Sequence, residues 1–246
     1  MEVECTLIQL NNTFSTINLE EARQLWVKPI GPKWVCKTKQ NPDDTKLYKV
    51  CLVIKIFEKM DFGETYVPVG LLTTIQYPIG WVWKHGWKID HFDVVTAFLN
   101  PEVADIDMYM TLRKGWLESL NAPGIVGRLK KAVSGLKQAL WLWHNDCNSF
   151  LLPLLFAQSL ADPNGYHSGD GFLMLLYIDD ISMLKLENAT KVVLKVKARL
   201  SAKYQITHLG MARQFLGIEV HRRDNGLGTG TGIGLGQMVF ITTMLK

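Results

Sequence analysis

The 246-residue sequence predicts a mixed α+β fold built on antiparallel sheet. Three observations carry that prediction. Strand-length apolar segments come in pairs with short links, at 33–57 and 172–186, and short links join antiparallel neighbours. Two stretches, 140–155 and 188–204, carry apolar residues at helical spacing. A hydrophobic content of 48% with 20% charged residues is that of a globular chain, long enough for one large domain or two small ones.

Taken in order, residues 2–28 read as a short helix or irregular lead followed by a polar stretch with Glu20, Glu21 and Arg23. Residues 33–39 (KWVCKTK) alternate polar and apolar, as a half-buried strand does. Asn41-Pro42-Asp43-Asp44 is a turn signal, and 47–57 is a second strand, so the two form a basic hairpin. Residues 62–68 connect it to an apolar stretch, 71–83, that reads as a helix interrupted by Pro78 and Gly80. Residues 87–100 (WKIDHFDVVTAFLN) alternate around Ile89, Phe92 and Val94, a strand that holds Asp93. Strand-like residues return at 108–110, after an acidic turn. Residues 127–138 are basic and broken by Gly135. In the helix at 140–155, Leu140, Trp143, Phe150 and Leu151 share a face. Asp162-Pro163-Asn164-Gly165 is a turn. The helix at 188–204 has Asn188 or Thr190 as its cap and Val193, Val196 and Leu200 on its apolar side. Residues 214–221 (QFLGIEVH) read as one strand with Gly217 inside. The alternating glycines of 226–236 read as a flexible loop, and no Lys-Ser/Thr follows to make a P-loop. Residues 240–246 read as the first turns of a helix.

Charge and cysteine content narrow the classes. The net charge is +4, and between Lys33 and Lys59 seven lysines face three acids, so this segment alone accounts for the whole excess. Such a run is a solvated strand face or a phosphate-binding one. Cys5, Cys36, Cys51 and Cys147 have no metal-site spacing, which fits a reducing compartment, cytosol or nucleus. The N-terminus has no secretory pattern, and the apolar run at 149–161 is short of the about 20 residues a membrane span needs.

The chemistry concentrates at Asp179-Asp180, between two apolar strands. Adjacent carboxylates repel and are costly beside apolar surface. Read alone, the pair is a polar hairpin turn, a common place for Asp; the alternative is a site for a hard divalent cation, which prefers oxygen ligands. Asp93, inside its own strand, has the same two readings. If the strands are neighbours, three carboxylates meet at one sheet edge near a basic hairpin. That set suits divalent metals and a triphosphate, hence nucleotidyl transfer.

Nine segments in one order then give a resemblance. They are IGPKWVCKTK (30–39), YKVCLV (48–53), ETYVPV (64–69), DVVTAFLN (93–100), MYM (108–110), RLKKAVSGLKQ (128–138), YIDD (177–180), HLG (208–210) and FLGIEV (215–220). In them the chain resembles the reverse transcriptase domain of copia-type LTR retrotransposons over nearly its whole length. The resemblance implies a right-hand polymerase with fingers at about 25–85 and 115–145 and a ferredoxin-like antiparallel palm at about 86–114 and 146–225; thumb, protease, RNase H and integrase are not expected here. It implies Asp93, Asp179 and Asp180 as the catalytic, metal-holding triad for two Mg²⁺ ions, with Mn²⁺ as a substitute. It places Phe98 under the incoming sugar, Gln138 beside nucleotide and template, and Lys37 and Lys49 at phosphates. Phe215, Leu216 and Gly217 would hold the primer. The implied partners are an RNA template, a DNA primer, dNTPs and, in a polyprotein, the other Pol domains, in a cytoplasmic particle or the nucleus and away from membranes.

The departures are as specific. The family's K-A-R-L-V-A-K-G-F reads KVCLVIKIF (49–57), so Cys51 replaces the Arg expected to reach the triphosphate, and Ile56 a Gly. Three residues are missing between Phe57 and Glu64. Leu140-Trp141 stand where the family has Pro-Arg, Pro101 replaces a Gly, and Gln76 an Arg. Two functions follow as expectations: an RNA-directed DNA polymerase domain, or a degenerate, catalytically dead remnant that at most binds nucleic acid without sequence preference.

Overall fold

The computed structural model of the chain describes residues 2–24, 28–40, 46–54, 87–103, 108–112, 124–154, 156–168, 171–186, 189–211, 214–215, 218–224 and 231–236. The turn at 41–44, the connector at 62–68, the helix expected at 71–83 and the C-terminal turns at 240–246 lie outside the described residues. The chain divides into two compact units, one of residues 1–67 and 96–148 and one of 68–95 and 149–246. No described helix is long and apolar enough to cross a membrane.

The first unit opens with α1 (Glu2–Leu10), whose Cys5 and Ile8, three residues apart, are both buried. Strand β1 (Phe14–Asn18) runs into α2 (Leu19–Gln24). Asn18 caps the second helix, its Oδ1 accepting from the Glu20 N–H at 3.0 Å. The basic segment forms the expected hairpin, β2 (Pro32–Gln40) against β3 (Lys46–Ile54), with Pro32 opposite Ile54 and Gln40 opposite Lys46. Strand β4 (Lys88–Val94) belongs to the second unit. After it come a single 3-10 turn at Ala97–Leu99, then β5 (Tyr109–Thr111) and β6 (Ile125–Leu129). The sheet order is β1-β6-β5, all antiparallel. β6 was not expected from sequence; it lies at the start of the stretch read only as basic. The unit's core gathers Ile8, Leu52, Ile54, Met108, Met110 and Val133.

Helix α3 (Ala139–Leu151) buries Ala139, Trp143, Cys147 and Leu151, a strict four-residue stripe. The face expected through Leu140 and Phe150 is therefore rotated; both are only half-buried.

The second unit is organised on a six-stranded antiparallel sheet. Its strands are β4, β7 (Ala157–Gln158), β8 (Gly165–Ser168), β9 (Phe172–Tyr177), β10 (Asp180–Lys185) and β11 (Ile206–Met211), in the order β11-β4-β10-β9-β8-β7. The turn before β8 is as expected: the Gly165 N–H donates to Asp162 O at 3.0 Å, and Asp162 Oδ1 accepts from the Asn164 backbone N–H at 2.9 Å. Helix α4 (Thr190–Lys203) lies over the face that carries Phe92, with Lys197 Nζ 5.5 Å from that ring's centre. Burying its Val193, Val196 and Leu200 contributes about 1.5–3 kcal/mol each. The N-cap position is Ala189, which makes no side-chain cap bond, so Thr190 is not the cap.

Two expectations near the C-terminus are corrected. QFLGIEVH is not one strand: β12 (Gln214–Phe215) and β13 (Ile218–Asp224) pair antiparallel with Phe215 opposite Ile218, so the chain reverses between them. Nor are the alternating glycines wholly loop, because β14 (Thr231–Gly236) pairs along β13 from Thr231 opposite Asp224 to Gly236 opposite Glu219. Glycine weakens strand propensity, and the pairing with β13 supplies the order that the glycines lack by themselves.

Candidate active site

The β9–β10 hairpin is closed by Tyr177 opposite Asp180, which leaves Ile178 and Asp179 as a two-residue loop. Such loops need positive φ, and a β-branched residue supplies it here: Ile178 has φ 53°. Left-handed backbone at a non-glycine residue costs about 1–2 kcal/mol, and strain of this kind gathers at functional turns. Asp179 is therefore in the loop and Asp180 begins the strand.

Strand β4 runs beside β10 in a register that sets Asp93 directly opposite Asp180. Residues opposed across an antiparallel pair point to one face with Cβ atoms about 4.5–5.5 Å apart. Asp179 is held at the same end, since its carbonyl accepts from the Val94 N–H at 2.8 Å. On the far side of Asp93, Thr207 of β11 is its register partner. All three acids are half-buried. At an effective dielectric near 20, two carboxylates about 5 Å apart repel by on the order of 3 kcal/mol, a penalty that a cation between them would reverse.

His91 shares the face. It lies two residues before Asp93, and its Nε2 is 3.1 Å from Asp180 Oδ1. The opposite face ties the same strands: Lys185 Nζ reaches Asp90 Oδ2 at 2.9 Å, and His208 stacks on Phe92 with centroids 4.7 Å apart.

The oxygen-only carboxylate set fits a hard divalent cation in kind. It is not a preformed cage: among the described residues no three His, Cys, Asp or Glu side chains stand close enough together to hold a metal ion.

The remaining sequence candidates lie in the first unit, apart from the primer-contacting residues. Lys37 is the register partner of Lys49 across the hairpin. Cys51 is opposite Val35, two positions along β2 from Lys37, so it shares the face of Lys37. Phe98 is half-buried against the core within the 3-10 turn. That turn is closed by Asn100, whose Nδ2 donates to Thr96 O and Ala97 O at 3.1 Å each, with Thr96 at φ 53°. Gln138 is buried, and its Oε1 has no hydrogen-bond partner among the described residues. Phe215 is in β12; Leu216 and Gly217 lie outside the described residues. The structure thus joins Asp93 to Asp179-Asp180 and Lys37 to Lys49. Sequence reasoning missed His91, whose one signal was its strand-period spacing from Asp93, and the backbone strain at Ile178.

Comparison with known proteins completes the picture. Residues 11–246 match the family described as Reverse transcriptase (RNA-dependent DNA polymerase). The chain is 32% identical over 231 residues to the Retrovirus-related Pol polyprotein from transposon TNT 1-94 of Nicotiana tabacum, a match covering 90% of this chain and 17% of that protein. It is 31% identical over 229 residues to the Pol polyproteins from transposons RE2 and RE1 of Arabidopsis thaliana, covering 87% of this chain and 16% and 15% of theirs. The chain spans about a sixth of the length of these curated relatives. An acid pair on one sheet face, a hairpin tip carrying a third acid, and a match over most of the chain agree on one conclusion, that this protein belongs to the reverse transcriptase family found in retrotransposon Pol polyproteins.

Proposed function

We propose that the chain is an RNA-directed DNA polymerase domain that extends a DNA primer on an RNA template with dNTPs, in a cytoplasmic particle or the nucleus. The single observation that carries this reading is the pairing of Asp93 with Asp180 beside the Asp179 turn. The sheet order β11-β4-β10-β9 within the second unit supports a ferredoxin-like reading of that sheet. That supports its assignment as a palm, with the β2–β3 hairpin in the fingers.

In this reading Asp93, Asp179 and Asp180 hold two Mg²⁺, or Mn²⁺, which when bound activate a primer 3′-hydroxyl and stabilise the leaving pyrophosphate. The chain's own work is placement. Lys37 and Lys49 receive phosphate oxygens. Phe98 lies under the incoming sugar and excludes a 2′-hydroxyl by bulk. Gln138 offers its buried Oε1 to nucleotide or template, and Phe215, with Leu216 and Gly217, holds the primer. Phosphoryl transfer asks little more of a protein than such positioning and charge.

Cys51 favours a second reading, a catalytically dead remnant that binds nucleic acid without sequence preference. Its place on the face of Lys37 is where an arginine would complete the phosphate contacts. Primer extension on a homopolymer RNA template with Mg²⁺ decides between them. The polymerase reading expects extension by the chain or by its Cys51→Arg variant, and loss of it in Asp179→Asn. No extension by either, with Mn²⁺ binding unchanged in Asp179→Asn, refutes it.

A further inference from the structure

The metal-facing end of the sheet includes a side chain that the motif series does not mark. Asp93 and His91 on β4, with their register partners Asp180 and Ser182 on β10, form four corners of one patch on one sheet face. Across its diagonal His91 Nε2 meets Asp180 Oδ1 at 3.1 Å. A carboxylate only accepts, so Nε2 carries the proton and donates. The two ends of this bond differ in exposure: His91 is 8% exposed, while the Asp180 side chain keeps 32% of its surface. The imidazole is thus a buried support and the acid an open group. The neighbouring corner is polar too, since the buried Ser182 hydroxyl has no hydrogen-bond partner among the described residues.

We propose that His91 is a positioning residue for Asp180: it fixes Oδ1 from within the sheet and leaves Oδ2 as the oxygen offered to a divalent cation. The inference rests on the polymerase reading of the acids. The physical reason is the repulsion between Asp93 and Asp180, which drives their carboxylates apart in a flexible pair. A donor anchored in the sheet holds one of them to a single rotamer before any ion arrives, and such supporting bonds commonly govern metal affinity by 10–100-fold.

The test measures Mn²⁺ binding to the full chain by the loss of the free-ion electron paramagnetic resonance signal. His91→Leu is expected to weaken binding about 10–100-fold. His91→Gln, which keeps a donor at that strand position, is expected to recover most of it, and Asp93→Asn to weaken binding independently. Wild-type affinity in His91→Leu, with Asp93→Asn weakened, overturns the role of His91 alone. Wild-type affinity in Asp93→Asn overturns the metal site and the proposal with it. Should His91→Leu fail to fold, the wild-type chain still decides. Its ¹H–¹⁵N spectrum must keep Nε2 protonated on Mg²⁺ addition, and a directly coupled ¹⁴N on bound Mn²⁺ would make His91 a ligand and refute the positioning role.

Discussion

Gly135 carries the sharpest stability prediction. It has φ +92°, and a Cβ added there would lie 2.4 Å from Ile54 O and 2.6 Å from Val53 Cγ1. Both contacts are to the end of β3, and the preceding residue is bonded to the same strand, Ser134 O accepting from the Ile54 N–H at 2.9 Å. Gly135→Ala therefore does three things at once. Left-handed backbone costs a non-glycine residue about 1–2 kcal/mol. Pushing backbone and a packed valine aside costs about 1–3 kcal/mol. The Ile54–Ser134 bond, displaced from good geometry, loses part of its roughly 1 kcal/mol. The expected destabilisation is about 3–5 kcal/mol, a large share of the about 5–15 kcal/mol that holds a domain folded. Gly124 supplies the internal control: its φ is +85°, yet among the described residues nothing lies within 4 Å of an added Cβ. Gly124→Ala should show the backbone part only, about 1–2 kcal/mol. Urea unfolding of the three proteins, read as midpoint shifts at constant m, measures both. Equal losses in the two variants, or a loss below about 1 kcal/mol for Gly135→Ala, would refute the close approach of this turn to β3.

Two further predictions concern function. Cys51→Arg adds a cation to the face of Lys37, so its binding to single-stranded RNA should tighten, with a salt slope steeper by about 0.7; fluorescence anisotropy across a salt series checks this, and an unchanged slope would place position 51 away from the phosphates. Ile178→Gly removes the left-handed strain of about 1–2 kcal/mol but also a half-buried side chain, so the melting temperature should move little while Mn²⁺ affinity falls as the hairpin tip loosens. A loss above about 2 kcal/mol would mean that packing of Ile178, not backbone rigidity, holds the loop.

What could be read from the sequence follows from how far each signal travels along the chain. The hairpins β2–β3 and β9–β10 were legible because alternation and a short link are local. So was β4, whose alternation also put Asp93 in a strand. Strand β6 was not, because one partner, β1, lies more than 100 residues away, Phe14 opposite Leu129, the nearer one, β5, is only three residues long, and its own five residues hold Gly127 and Arg128. Strand β14 was hidden for another reason: its partner β13 is close in sequence, Asp224 opposite Thr231, but its alternating glycines carry little strand propensity of their own. Within the candidate site, composition pointed to the acids, but the His91–Asp180 bond joins residues 89 apart. No local pattern announces a diagonal contact between two strands.

The opposition of Asp93 to Asp180 also sets which mutations a copy of this gene segment can survive. Side chains alternate with period two, so one codon gained or lost within β4, ahead of Asp93, or within β10 would turn the shifted part of that strand over. The residues pointing with the acids would exchange places with those, such as Phe92 and Ile181, now packed on the α4 side. A two-codon change would keep the faces and only slide the pairing. In-frame insertions in these strands should therefore differ by parity in their damage, a mark of selection for chemistry that survives in sequence even where single substitutions such as Cys51 obscure it.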